Sequence, residues 1–118
     1  MPMFLMQFTY TPETWASLMA NPEDRREAAT EYLDELGGSL HGFWYGFGAF
    51  DGCLLFEAPD EIAAAGVVLA VTAGGAMSSV ETTVLLSVED TLEALQRGRA
   101  IASRRPGVKT VAHATLQG

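Results

Sequence analysis

Apolar residues alternate along Met3–Tyr10, with Phe4, Met6, Phe8 and Tyr10 on one face and Met3, Leu5, Gln7 and Thr9 on the other. Neither face is purely polar, which predicts a central strand covered on both sides. Thr11-Pro12-Glu13 then signals a helix start, with Thr11 as N-cap and Pro12 at the first helical position, where its missing N–H costs nothing. Asn21-Pro22-Glu23-Asp24 repeats the signal, so the pattern predicts a short helix, a break, and a longer helix ending at Gly37-Gly38. Ala29, Tyr32, Leu33 and Leu36 recur there at helical spacing and form the expected buried stripe.

Residues 39–47 and 50–57 read as paired strands around a tight turn at Gly48-Ala49. That register puts Phe43, Tyr45 and Phe47 with Phe50, Leu54 and Phe56 in a helix-covered core. Leu40, Gly42, Trp44 and Gly46 then share the other face with Asp51, Cys53, Leu55 and Glu57, which reads as a lining; a one-residue slip would exchange the two sets. Pro59-Asp60-Glu61 opens the next helix with Asp60 as N-cap, and residues 62–73 are apolar nearly all round, which predicts burial on more than one side. Gly74-Gly75 ends it. Residues 77–87 alternate as a fourth strand, with Val80, Thr82, Val84 and Leu86 opposite Ser79, Glu81, Thr83 and Leu85. Ser87-Val88-Glu89-Asp90 caps a further helix carrying Leu92 and Leu95, and Arg104-Arg105-Pro106-Gly107 breaks it. Residues 108–116 read as an additional edge strand or an exchanged arm.

The order β-α-β-β-α-β predicts an α+β chain with a ferredoxin-like antiparallel sheet, an extra C-terminal helix and that edge segment. The expected domain covers residues 1–103, with 104–118 as a C-terminal extension. Helices can cover only one face of such a sheet. The other keeps Leu5, Leu40, Trp44, Cys53 and Leu55, too much apolar surface to leave wet. Packing two sheets face to face would cover it and enclose a barrel-like cavity, which predicts a homodimer or higher homo-oligomer.

Composition narrows the partners. The chain has 118 residues, enough for one core, and is 48% hydrophobic. Fifteen acidic residues against 7 basic give a formal net charge of -8, which argues against nucleic acid and anionic membrane surfaces. No Lys or Arg lies between Arg26 and Arg97. RNA-recognition domains share the βαββαβ order, but the basic residues they need are missing. Cys53 is the single cysteine, so no disulfide framework exists, and a reducing cytoplasm is the expected location. The N-terminus lacks a basic signal-peptide region. The longest apolar run, 62–73, falls short of the ~20 residues a membrane span needs.

The run Gly42-Phe43-Trp44-Tyr45-Gly46-Phe47-Gly48-Ala49-Phe50-Asp51, followed by Phe56-Glu57-Ala58-Pro59-Asp60, resembles the GYD domain family. That family shows an aromatic strand, a glycine turn, an aromatic-Asp pair, an apolar strand and then Glu-Ala-Pro-Asp. The resemblance extends from Met3 to the helix carrying Leu92, with Phe50 standing at the namesake tyrosine. It implies a dimeric α/β-barrel fold and brings no assigned reaction.

Candidate chemistry concentrates on the lining face. Asp51 and Glu57 share parity there; a partly desolvated Asp51 carboxylate could serve as a general base, or could instead bond turn amides while Glu57 caps the next helix. Trp44 could stack on a flat ligand or anchor a dimer. Tyr45 joins Trp44, Cys53 and Glu57 as an expected ligand contact, its hydroxyl reaching the sheet edge from a core position. His41 is the auxiliary proton donor of the catalytic reading, and otherwise a hydrogen-bonded strand histidine. Cys53 reads as a small buried hydrophobe. No Cys or His spacing matches a metal site, and no cofactor motif occurs; Gly42, Gly46 and Gly48 lie within and after a strand rather than in a phosphate loop. Two functions follow: an oligomeric module holding a small apolar or aromatic ligand between sheets, or a cofactor-free oxygenase or isomerase with Asp51 as base.

Overall fold

A computed structural model of the chain describes residues 1–104. The chain divides into two compact units, Met1–Leu85 and a second beginning at Leu86. The first contains β1 (Met3–Tyr10), α1 (Pro12–Ala20), α2 (Arg26–Glu35), β2 (Ser39–Tyr45), β3 (Gly52–Glu57), α3 (Glu61–Ala73) and β4 (Met77–Leu85). The second carries α4 (Val88–Ala102). The expected edge segment at 108–116 lies outside the described residues.

The helix ends obey local chemistry. The side chains of Thr11, Asp60 and Ser87 accept from the backbone N–H groups of Thr14, Ala63 and Asp90, capping α1, α3 and α4. The break at 21–25 is longer than the proline signal suggests. α2 begins at Arg26, whose N–H donates to Asp24 Oδ1 at 3.0 Å. It closes on Gly37, where φ is 78°: the Gly38 N–H reaches Leu33 O at 2.8 Å and the Gly37 N–H reaches Asp34 O at 3.2 Å, a paired closure that needs a left-handed residue.

The strands form one four-stranded sheet in the order β2-β3-β1-β4, every neighbouring pair antiparallel. This is the ferredoxin-like α+β arrangement: the first crossover sets β2 one strand away from β1, the hairpin brings β3 into the gap, and the second crossover lays β4 on the other side of β1. Phe4, Met6, Phe8 and Tyr10 of β1 are buried on the helix side with Leu54, Phe56, Leu33, Ala64 and Val67, and the Phe4 and Phe56 rings stack at 5.4 Å.

Five expectations need correction. The hairpin is not a tight turn: β2 stops at Tyr45 and β3 starts at Gly52, and the connection between them is closed by Gly46 N–H to Asp51 O at 2.8 Å. Phe47, expected in the core, stands at its tip, 90% exposed. Leu40 packs on the helix side, because pairing shifts between Leu40 and Gly42 and leaves His41 as the extra residue of a bulge, which reverses the side-chain alternation before it. α3 is buried along one stripe only, Ala64 and Val67, while Ile62 and Leu69 are exposed. The stripe of α2 is also narrower than expected: Leu33 is buried and Ala29 packs beside it, but Tyr32 and Leu36 are partly exposed.

Candidate functional site

Two surfaces hold the candidate residues. The first is the sheet face turned away from the helices. Its rows follow from the register: Ser39, Glu57, Met3 and Leu85; then Gly42, Leu55, Leu5 and Thr83; then Trp44, Cys53, Gln7 and Glu81. Trp44 lies over Gly42, where an added Cβ would meet the indole Cζ2 at 2.7 Å, so the missing side chain lets the ring lie along the strand. Leu5, Cys53 and Leu55 continue this apolar strip across the sheet, partly exposed. His41 Nε2 sits 2.7 Å from Glu57 Oε1 at the rim, an exposed pair made by the bulge. The structure thus brings Trp44, Cys53, Glu57 and His41 to one face, and Glu57 does not cap α3.

Asp51 is not on that face. Its Oδ2 accepts the Tyr10 N–H at 2.9 Å and the Trp15 indole N–H at 3.2 Å, while its own N–H donates to Phe8 O at 2.8 Å. The carboxylate therefore ties the end of β1 to α1. The expected placement fails because Asp51 lies beyond the last paired residue of β3, where strand parity no longer fixes direction.

Tyr45 belongs to the second surface, at the same end of the molecule. Opposite Gly52 it turns to the helix side, where Phe8, Tyr10, Trp15, Phe43 and Tyr45 form an aromatic cluster; Tyr10 and Trp15 meet edge to face at 5.1 Å and Phe43 and Tyr45 tilt together at the same separation. The Tyr10 and Tyr45 hydroxyls are 3.4 Å apart. Burial, and then the Tyr45 hydroxyl, hold the Tyr10 phenol well above its ordinary pKa, so it remains an O–H at physiological pH; Arg25 opposes the rise weakly.

The family model described as GYD domain matches residues 4–95. The chain belongs to the GYD domain family. No curated protein matches it. A solved structure described as "crystal structure of FFRP-DM1" aligns over 73% of this chain and 100% of its own, at 11% identity and a TM-score of 0.46, a likeness too loose to bear on chemistry.

In this GYD chain the aspartate after Phe50 is thus a brace between strand and helix. Trp15, its partner, was not singled out by the sequence, since one tryptophan in a helix carries no signal of what it will touch. The sequence also missed a cavity of about 170 Å3 between the sheet, α2 and α3, walled by Met6, Leu33, Phe43, Leu54, Phe56 and Val67 and reached by Tyr10 and Arg25. Among the described residues, no three His, Cys, Asp or Glu side chains gather as metal ligands, and no helix is long and apolar enough to cross a membrane.

Proposed function

We propose that this GYD chain works as a self-associating module in which a second copy covers the open sheet face. The observation that carries this reading is the apolar strip of Trp44, Cys53, Leu55 and Leu5, bare of any helix of its own unit, with Trp44 54% exposed. Such a strip stabilises the chain only when something removes it from water. A second copy suits it because an apolar centre meets itself without needing opposite charge, and two-fold pairing of one patch is the commonest form of assembly. The dimeric α/β barrel implied by the GYD resemblance has the same form. The enclosed interior, walled by Trp44, Leu55 and Cys53, would admit a small apolar or aromatic ligand. No observation favours the oxygenase or isomerase reading, because the Asp51 carboxylate is already shared between the Tyr10 N–H and the Trp15 indole.

Sedimentation equilibrium tests the proposal. The wild-type chain should sediment as a dimer or larger, and Trp44→Glu and Leu55→Glu should each give folded monomer, because an unpaired charge in a desolvated interface is costly. A folded, monodisperse wild-type monomer at micromolar concentration would sink it.

A further inference from the structure

We propose that the cavity between α2, α3 and the helix-side face of the sheet binds a small monocarboxylate with an apolar body, Arg25 taking the carboxylate and the Tyr10 hydroxyl donating beside it. The site is on the opposite side of the sheet from the proposed self-association and is independent of it.

Three observations converge there. The first is shape and lining. The chamber of about 170 Å3 is walled by core residues of four elements, Met6, Leu33, Leu54 and Val67 among them. An engineered apolar cavity of about 150 Å3 accommodates benzene, so this one suits a single ring or a short alkyl chain.

The second is the polar end. Arg25 lines both this chamber and a neighbouring cleft formed with Asp24, Arg26, Phe43 and Tyr45, so it stands where the interior opens outward. Among the described residues its guanidinium pairs with Glu23, Nη1 to Oε1 at 2.8 Å, and also acts on the Tyr10 hydroxyl. A guanidinium carries five N–H donors in a planar fork, so Glu23 leaves donors to spare for a second carboxylate. The Tyr10–Tyr45 hydroxyl contact of 3.4 Å is long for an O–H···O bond, leaving Tyr10 free to turn its proton to a better acceptor.

The third is charge placement. Arg25 and Arg26 are the only Lys or Arg residues before Arg97 in a chain of net charge -8. Arg26 is engaged by both oxygens of Asp24, through Nε at 3.0 and 3.1 Å and Nη2 at 2.6 Å. Arg26 is thus held in a bidentate pair at the surface, whereas Arg25 is the arginine of Met1–Leu85 that lies at the mouth of an apolar chamber. Neither a purely apolar ligand nor a cation would use that arrangement.

Calorimetric titration of the full chain with phenylacetate, its neutral analogue phenylacetamide and the bulkier diphenylacetate tests this. Phenylacetate should bind saturably and at least about tenfold more tightly than the amide, the effect of one charge-assisted contact. Diphenylacetate should not bind. Arg25→Gln should reduce phenylacetate to the level of the amide and leave the amide unchanged. Glu23→Gln, which frees the guanidinium, should tighten phenylacetate severalfold, a gain that a merely structural role for Arg25 does not predict. Trp44→Glu should leave the affinity as it is. Absence of saturable phenylacetate binding in the millimolar range, equal affinities for acid and amide, or loss of binding in Trp44→Glu but not in Arg25→Gln would each overturn the proposal. If Arg25→Gln does not fold, the acid-to-amide ratio and Glu23→Gln still decide it.

Discussion

Gly42 and Gly52 offer a controlled comparison, the same added methyl on opposite faces of one hairpin. A Cβ at Gly52 would collide with Phe8 Cζ and lie 2.9 Å from Phe8 Cε2 and 3.0 Å from the Trp44 carbonyl oxygen. Phe8 is completely buried and the carbonyl is fixed in the sheet, so neither neighbour can yield cheaply. Overpacking of this kind costs about 1–3 kcal/mol, and the lower chain entropy of unfolded Ala returns about 0.4–1. We therefore predict that Gly52→Ala loses about 1–2 kcal/mol, seen as a urea midpoint lower by about 1 M. At Gly42 the collision is closer on paper, with the indole ring of Trp44, but that ring is half exposed and can swing away. Gly42→Ala should hold within about 0.5 kcal/mol of wild type in dilute solution. Its effect should fall on association: displacing an indole that offers about 100 Å2 of apolar area to a partner removes on the order of 2 kcal/mol per copy, more than tenfold in the dissociation constant. Urea melts at two protein concentrations, paired with sedimentation, separate the two effects. Equal destabilisation of both variants at the lower concentration would refute the idea that one neighbour is fixed and the other free.

Three further outcomes follow from single contacts. Asp51→Ala should cost about 1–3 kcal/mol in urea unfolding, because it strands the Tyr10 N–H and the Trp15 indole N–H, while Asp51→Asn, which keeps an acceptor, should cost clearly less; equal losses would mean that charge rather than acceptance matters. Thr82 Oγ1 is buried with no hydrogen-bond partner among the described residues, so Thr82→Val should raise stability by about 1 kcal/mol, and a loss on thermal melting would show that the hydroxyl is satisfied after all. The side-chain and backbone donors of Arg26 lower the Asp24 carboxyl pKa to about 2. Its folded value lies below the unfolded one, so its contribution is complete above about pH 4 and is lost as pH falls through 2; a carboxyl NMR titration should find that midpoint, and Arg26→Gln should return it to the ordinary range.

The parts of the fold that were legible in the sequence are those decided within a few residues. Thr11, Asp60 and Ser87 cap helices because a short oxygen-bearing side chain can reach an N–H three residues on, whatever the rest of the chain does. Gly37 ends α2 for an equally local reason. The order of strands followed from connection rules that leave few alternatives. Legibility failed where one residue changed a phase. Leu40 and Phe43 are both helix-side although three apart, a spacing that strict alternation forbids and a bulge at His41 permits. The break was present as a pattern, but Gly42 blurred it by offering no side chain to assign. Residues 62–73 misled differently: an Ala- and Val-rich helix can be apolar all round and still find only one surface to cover.

The site was harder to read, because what brings its groups together lies far apart in the chain. Parity sorted Trp44, Cys53 and Glu57 correctly onto one face, since all three lie inside continuous β2–β3 pairing. Parity had no authority over Asp51, one residue past that pairing, and it is there that the catalytic reading lost its base. The cation gap between Arg26 and Arg97 was visible, yet its meaning depended on where the start of α2 would come to rest. It rests beside Tyr10, at the far end of α1 in the chain, and beside an apolar chamber lined from β1, β2, β3 and α3. Membership of the GYD family cannot choose between the two surfaces, because the matched residues 4–95 contain both. Chemistry can. The open face is a broad apolar strip whose charged neighbours among the described residues are Glu81 and the His41–Glu57 pair, suited to another surface of its own kind. The chamber is small, apolar and open beside a cation at its mouth, which a second subunit could not exploit and a small acid could.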